Sequence, residues 1–414
     1  MEAKLSHDSS LTEPLILDEK QNGLAPKLEE VESNFDCSNT ANVSFSKTCF
    51  NGLNALSGVG ILSVPYALSL GGWLSLILIF VIAIAAFYSG LLMQRCMDVD
   101  SDIRTYPDIG NRAFGYNGRL LISVFMYVEL YLVATGFLIL EGDNLSYLFP
   151  NTGIEIAGIR IEGKQIFVII VALVILPSVW LDSLSLLSYI SASGVLASII
   201  ILGSILWTGE FDGIGFHQEG TLINWSGIPT AVSLYAFCYC AHPVLVVCFI
   251  LRTLSYASMA VFGYLMFGSN VQSQITLNLP IEKLSSRVAI YTTLVNPIAK
   301  YALMVTPIVN ATKSWFPCAY NKRMLGLLIS TSLVISTVIV ALVVPFFAYL
   351  MSLVGAFLSV TASIILPCLC YLKISGTYKR FGCEMVVIWG IVLMGVVIGI
   401  IGTYISVIEI LDHL

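Results

Sequence analysis

The sequence predicts an all-α polytopic membrane protein with eleven transmembrane helices. Three observations carry that reading: composition, the recurrence of apolar runs, and the placement of basic residues. Hydrophobic residues make up 57% of the chain and charged residues 11%, with a mean hydropathy of +0.88. A soluble domain carries roughly 25% charged residues, so a water-soluble chain is excluded. Runs of about 20 apolar residues, the length a helix needs to cross ~30 Å of hydrocarbon, recur along nearly all of the 414 residues. One membrane domain, 46–414, behind a short tail, 1–45, is the economical organisation.

The tail holds nine acids and three lysines and supplies the whole formal charge of −6; from Ser46 onward 17 acids balance 17 bases. It is polar and poor in aromatics, the composition of a disordered segment, and is expected in the cytosol. It lacks the basic and apolar regions of a signal peptide, so the first span is expected to act as its own insertion signal. The ten cysteines lie in the tail, in apolar helices or near helix ends assigned to the cytosol, which argues against a disulfide framework. Cys238-Tyr-Cys240 and Cys368-Leu-Cys370 sit in apolar helices, where residues two apart do not share a face, so no metal site is expected. Nothing calls for a cofactor or a nucleic-acid partner. The lipid bilayer is the surrounding phase.

Reading apolar runs against charged or turn-rich boundaries places the spans at about 46–70, 73–97, 118–141, 164–181, 187–207, 226–243, 244–267, 288–314, 324–344, 346–372 and 384–410. With a cytosolic tail, the cytosolic loops and helix ends hold Arg95, Arg104, Arg112, Arg119, Lys313, Lys322, Arg323, Lys373, Lys379 and Arg380, against Arg160, Lys164, Lys283 and Arg287 on the far side. That imbalance fits the positive-inside rule. The sequons at Asn144 and Asn224 then fall in far-side loops. The stretch from Asp98 to Gly118 reads as a cytosolic loop, with a short interfacial helix as the alternative.

The first and sixth spans are irregular. Gly58, Gly60 and Pro65 interrupt the first, and Cys240-Ala241-His242-Pro243 interrupts the sixth. In a helix interior Gly costs ~1 kcal/mol and Pro ~3 kcal/mol relative to Ala. Interruptions at matching places in two halves point to a transporter built from inverted repeats, here five helices plus five with an eleventh extra. Inside hydrocarbon, unwound backbone persists only where it lines a cavity or meets a ligand. Free N–H groups at a half-helix start suit a carboxylate, and carbonyls ending the other half-helix suit an ammonium. Two facing breaks therefore suit a zwitterion, of which an α-amino acid is the commonest small example.

The stretches NGLNALSGVGILSVPYALSLGGW, YPDIGNRAFG, SQITLNLP and TLVNPIAKYALMVTP resemble the amino acid/auxin permease family, particularly its plant vacuolar branch. The resemblance runs from about Ser46 to the end. It implies the five-plus-five fold with broken helices 1 and 6, and transport of neutral or other amino acids, usually coupled to protons, at a vacuolar or plasma membrane. Asn54, Ser57, Gly58, Val59, Gly60 and Ile61 match its first-helix substrate segment, and Tyr239, Cys240, Ala241 and His242 fall on its sixth-helix break. One departure stands out. The family continues after this break with a second half-helix and a basic loop, whereas here Pro243-Val244 runs directly into the seventh span. Roughly twenty residues are missing, as in an exon-skipped isoform, and Arg252 inside the seventh span would cost at least ~2.5 kcal/mol on insertion scales.

Ionisable residues within spans are functional candidates. Glu129, Lys300 and His242 are the ion-coupling candidates, with a buried Glu129–Lys300 pair as the structural alternative. Glu141 reads as an interfacial boundary. If the Lys300 ammonium occupies the place of a sodium ion, proton rather than sodium dependence results. A receptor would need seven regular spans, a channel a filter motif and an enzyme a clustered polar site. The remaining alternatives are a transport-impaired isoform and an amino-acid sensor on the same fold.

Overall fold

The structure, a computed structural model, describes residues 60–413 except 101, 104, 157–158, 181–185, 241–245, 317–320 and 378–381. The tail lies outside the described residues. The described residues form eleven helical segments: α1 Gly60–Gly71, α2 Ser75–Val99, α3 Tyr106–Leu148, α4 Gly163–Val179, α5 Leu186–Glu210, α6 Ile228–Cys238, α7 Val246–Phe267, α8 Leu284–Ser314, α9 Lys322–Val343, α10 Phe347–Ser375 and α11 Cys383–His413. A small antiparallel hairpin, β1 Ile154–Ile156 and β2 Ile159–Ile161, joins α3 to α4 with Ile154 opposite Ile161. All other described regular structure is helical, as a chain with no water for its peptide groups requires.

Side-chain contacts sort the helix ends into two faces. At one face Gly71, ending α1, accepts from Asn224 N at 3.1 Å, while Gln218 N donates to Leu265 O at 3.0 Å near the end of α7. There too Asn144 of α3 bonds Gln274 at 2.6 Å, Lys164 of α4 pairs with Asp143, and Thr230 of α6 donates to Glu409 of α11 at 2.8 Å. At the other face Arg95, near the end of α2, meets Glu384 at the start of α11 at 2.9 Å. The start of α6 and the end of α7 thus share a face, so the pair enters and returns between α5 and α8. At ~1.5 Å per residue, the 11 residues of α6 reach about 16 Å, well short of ~30 Å of hydrocarbon.

The packing repeats. The helix α10 lies on α3 as α5 lies on α8, α9 on α3 as α4 on α8, and α6 on α2 as α1 on α7. Exchanging the first five helices with the next five preserves these neighbours, and α11 is extra, packing on α10 and α6.

Two expectations are corrected here. The Asp98–Gly118 stretch is not simply a loop, because α3 begins at Tyr106. Thr105 N and Oγ1 bond Asp108 Oδ2 at 3.0 and 2.7 Å, a start signal of the capping-box kind, with Pro107 in the first turn. Ile103, Ile109 and Ala113 are buried against Cys96, Ile122, Leu366 and Cys370. At Gly115, φ is 68° and ψ −158°, a turn in a region open to glycine, which separates this segment from the span proper. Its glycines and Pro107 mimic loop punctuation, but the cap and the apolar spacing prevail. The sequon residue Asn144, for its part, is in α3 and fully buried, so it is not a loop acceptor.

Candidate functional site

Helices α1 and α6 lie antiparallel, start against end. Cys238 Sγ donates to Gly60 O at 3.5 Å, and a Cβ added at Gly60 would sit 2.8 Å from that sulfur. At the opposite ends Gly227 packs against the backbone of Leu70. Both helices are apolar and almost wholly buried, so their ends are exposed only to each other and to neighbouring helices. The last carbonyls of α6 have no partner within their own helix, whereas α1 is described from Gly60 and what precedes it lies outside the described residues. Gly60 and the end of α6 therefore lie at one level; the interruption read before Gly60 falls outside the described residues. Of the substrate-segment residues, Gly60, Ile61, Tyr239 and Cys240 are placed; Asn54, Ser57, Gly58, Val59, Ala241 and His242 lie outside the described residues.

A small cavity sits beside the start of α1, lined by Ile61, Leu62, Ser198 and Ile201 from α1 and α5 and by Thr293, Asn296 and Pro297 of α8. Pro297 lacks an N–H, which frees the Thr293 carbonyl four residues back. Acceptors from Thr293, Asn296 and Ser198 suit a cation or a water. Lys300 lies one turn beyond Asn296 on the same face of α8 and is buried.

Glu129 and Lys300 are not partners. Ser359 of α10 donates to Glu129 Oε1 at 2.5 Å, and both residues are buried. One turn further along α10, Ser363 Oγ donates to Cys240 O at 2.9 Å, so α10 links Glu129 to the α6 break. Here α10 is π-helical, over Val354–Ser359 and Thr361–Ile365, and the irregularity leaves carbonyls free for outside donors: Tyr106 Oη bonds Ala362 O at 2.5 Å, and Ser89 bonds Ser363 O. Single-turn π-bulges recur at functional sites.

Sequence reasoning missed this α10 relay; the only signal was two serines four apart in an apolar run. It also misplaced Glu141, which is no interfacial boundary: it is fully buried, and neither carboxylate oxygen has a hydrogen-bond partner among the described residues. Packing of α3 against α4, α8 and α9 submerges a position that hydropathy puts at the edge.

Arg252 of α7 is buried beside the α6 break. Its Cζ lies 5.0 Å from the ring centre of Tyr239 and 5.1 Å from that of Tyr256, a cation–π geometry. Tyr239 in turn donates to Thr253 Oγ1 at 3.1 Å. Among the described residues no cluster of His, Cys, Asp or Glu could hold a metal ion, and the described cysteines are all free.

The model of the family described as transmembrane amino acid transporter protein matches residues 41–246 and 242–408. The chain belongs to that family. The two matched stretches meet at the α6 break. Amino acid transporter AVT1I of Arabidopsis thaliana is 61% identical over 402 residues, covering 93% of this chain and 99% of that one. Since 93% of 414 residues is about 385, about 17 of the 402 aligned positions have no residue here. Amino acid transporter AVT1J of the same plant is 59% identical over 401 residues, covering 92% and 95%. Among solved structures, the crystal structure of MhsT in complex with L-phenylalanine has 13% sequence identity and a TM-score of 0.46, covering 89% of this chain and 98% of that one. The chain is thus a multi-pass membrane protein of an amino acid transporter family.

Proposed function

We propose that this chain is a secondary active transporter that moves α-amino acids across a membrane with proton coupling. The observation carrying this reading is the contact of Gly60 in α1 with Cys238 at the α6 end. The N–H groups of the glycine-interrupted stretch Gly58 to Ile61, read from the sequence as a half-helix start, would take the substrate carboxylate, and the carbonyls at Cys238 to Cys240 its ammonium. Asn54, Ser57, Gly58, Val59 and Ile61 would complete one wall and Tyr239, Ala241 and His242 the other.

Coupling is assigned to Glu129, Lys300 and His242. If the Lys300 ammonium, one turn beyond Asn296 on α8, takes the place of a sodium ion, protons are favoured as the driving ion. The ends of the half-helices read groups that all amino acids share, so the neutral side-chain class rests on the resemblance, as does the vacuolar membrane.

In proteoliposomes, uptake of labelled alanine or leucine is expected to follow an imposed pH gradient and to be indifferent to sodium. Uptake driven by a sodium gradient at equal pH would refute the coupling; absence of uptake under either gradient would refute the transport reading. A transport-impaired chain is the second reading, favoured by one observation: α6 is followed after Cys240 by five undescribed residues and then by α7, with no second half-helix among the described residues.

A further inference from the structure

We infer that Glu141 is a proton-binding site that holds its proton in a hydrogen bond to Asn144 Oδ1, an inference that rests on the proton-coupled reading only for its use in transport. Two observations carry it. Glu141 and Asn144 are fully buried, three residues apart on one face of α3, and Glu141 Oε1, Glu141 Oε2 and Asn144 Oδ1 all lack a hydrogen-bond partner among the described residues. The orientation of the Asn144 amide, moreover, is fixed from outside. Lys164 of α4 pairs with Asp143, an ionised carboxylate that can only accept. Gln274 Nε2 therefore faces Asp143 Oδ2, at 3.1 Å, and Gln274 Oε1 faces Asn144 Nδ2, at 2.6 Å. The same Nδ2 donates to Leu140 O at 2.8 Å, so Asn144 Oδ1 is left as an acceptor without a donor.

A bare buried carboxylate is costly in its charged form, and the charged groups on the elements around α3 do not offset this one. Lys164 is engaged with Asp143, Arg287 of α8 donates to Ile281 O at 2.7 Å, and Lys300 of α8 interacts with Arg252. The described charges of α2, α9 and α10 sit at the opposite ends of their helices. On α3 itself Asp143 adds only repulsion, Tyr147 donates to Leu279 O at 2.7 Å beside Glu282, and Glu129 is about 18 Å away at ~1.5 Å per residue. One proton removes both faults: it neutralises Glu141 and supplies the donor that Asn144 Oδ1 lacks. Gln274 also caps the 3₁₀ turn Ile275–Asn278, which packs on α1, α3 and α8. Proton occupancy at Glu141 thus sets how firmly this turn is fastened, through Asn144 and Gln274, against α1.

Infrared spectra of the purified full chain in lipid test the site, because the C=O stretch of a protonated carboxyl stands clear of the carboxylate bands. Glu141→Gln is expected to abolish one such band at neutral pH and Asn144→Leu to move it. Thr276→Val, which removes a nearby hydroxyl that is also buried without a partner, is expected to leave it in place. A spectrum unchanged by Glu141→Gln overturns the site, and a band moved by Thr276→Val but not by Asn144→Leu overturns the assigned acceptor. Since Gln offers Asn144 Oδ1 an N–H in place of the O–H, Glu141→Gln is expected to unfold at or above the wild-type temperature; a marked drop would mean that the site holds a charge and not a proton. Amide hydrogen exchange at Leu277 and Leu279, whose N–H groups bond to Gln274 O and Thr276 O, reads the fastening. Relative to Glu141→Gln at the same pH, exchange in the wild type is expected to rise by up to about tenfold per pH unit, as opening releases the proton; the same pH course in both proteins overturns the fastening. Uptake into proteoliposomes keeps the two readings apart. The Glu141 band without uptake driven by a pH gradient supports the site and overturns the coupling, whereas such uptake without the band overturns the site and leaves the coupling.

Discussion

Burying a carboxylate is costly unless it is hydrogen-bonded or neutral, and Glu129 accepts from one serine hydroxyl, Ser359 Oγ at 2.5 Å. Such a group can exchange a proton with little rearrangement, because a protonated Glu129 can return the hydrogen bond as donor. A proton gradient of one pH unit is worth ~1.4 kcal/mol, enough for about tenfold accumulation per coupled proton. Glu129→Gln preserves shape and hydrogen bonding but cannot titrate. It is expected to reduce accumulation driven by a pH gradient to near unity while exchange of labelled for unlabelled substrate at equal pH continues; counterflow measured beside gradient-driven uptake checks this. If gradient-driven accumulation survives, Glu129 is structural. Glu129 and Lys300 were legible as charges in apolar runs, but their surroundings were not, because Ser359 is 230 positions away and an apolar run containing serines looks like any other. Arg252 was legible only as an anomaly, since the tyrosine rings on either side of it come from an element end and a helix turn that no periodicity pairs.

At the scale of elements, hydropathy located all eleven segments because the hydrocarbon thickness fixes length and composition together. Two places escaped it. The start of α3 was hidden by glycines and Pro107, whose effect depends on whether Thr105 and Asp108 close a cap. The π-helical stretches of α10 leave no trace in apolar composition. The α1–α6 junction was half legible: glycine and proline mark interruptions in the sequence, but the contact of Gly60 with Cys238 is tertiary. That contact is testable. A Cβ at Gly60 would come within 2.8 Å of Cys238 Sγ, so Gly60→Ala overpacks the junction and is expected to destabilise by ~1–3 kcal/mol and to depress uptake. Cys238→Ala removes the opposing sulfur, and the double variant should recover much of the loss, with a coupling energy of ~0.5–3 kcal/mol. Thermal unfolding of the four proteins in detergent measures the cycle; additive effects would separate the two helix ends.

Across the whole molecule, the exchange of five helices for five fits a transporter that rocks one repeat against the other around a central site, and the sixth segment breaks the equivalence. The α6 segment reaches about 16 Å at ~1.5 Å per residue, and the family match divides at residues 242–246, where about twenty residues were expected from the sequence pattern. The outer contacts of α6, with α1, α10 and α11, do not depend on the chain beyond Cys240. Inserting a second half-helix and basic loop of about twenty residues after Pro243, the length read as missing from the sequence, therefore has a divided expectation. Substrate binding at the proposed site should change by less than about tenfold, within ~1.4 kcal/mol, because Gly60 and the α6 end at Cys238 are already in contact. Gradient-driven flux should rise by an order of magnitude or more, because alternating access needs a wall on the inner half of the pathway as well as on the outer. Binding and flux measured on the same two purified proteins decide it. A rise in both by the same factor would place the defect in the site itself, and no rise in either would make the second half-helix dispensable to this chain.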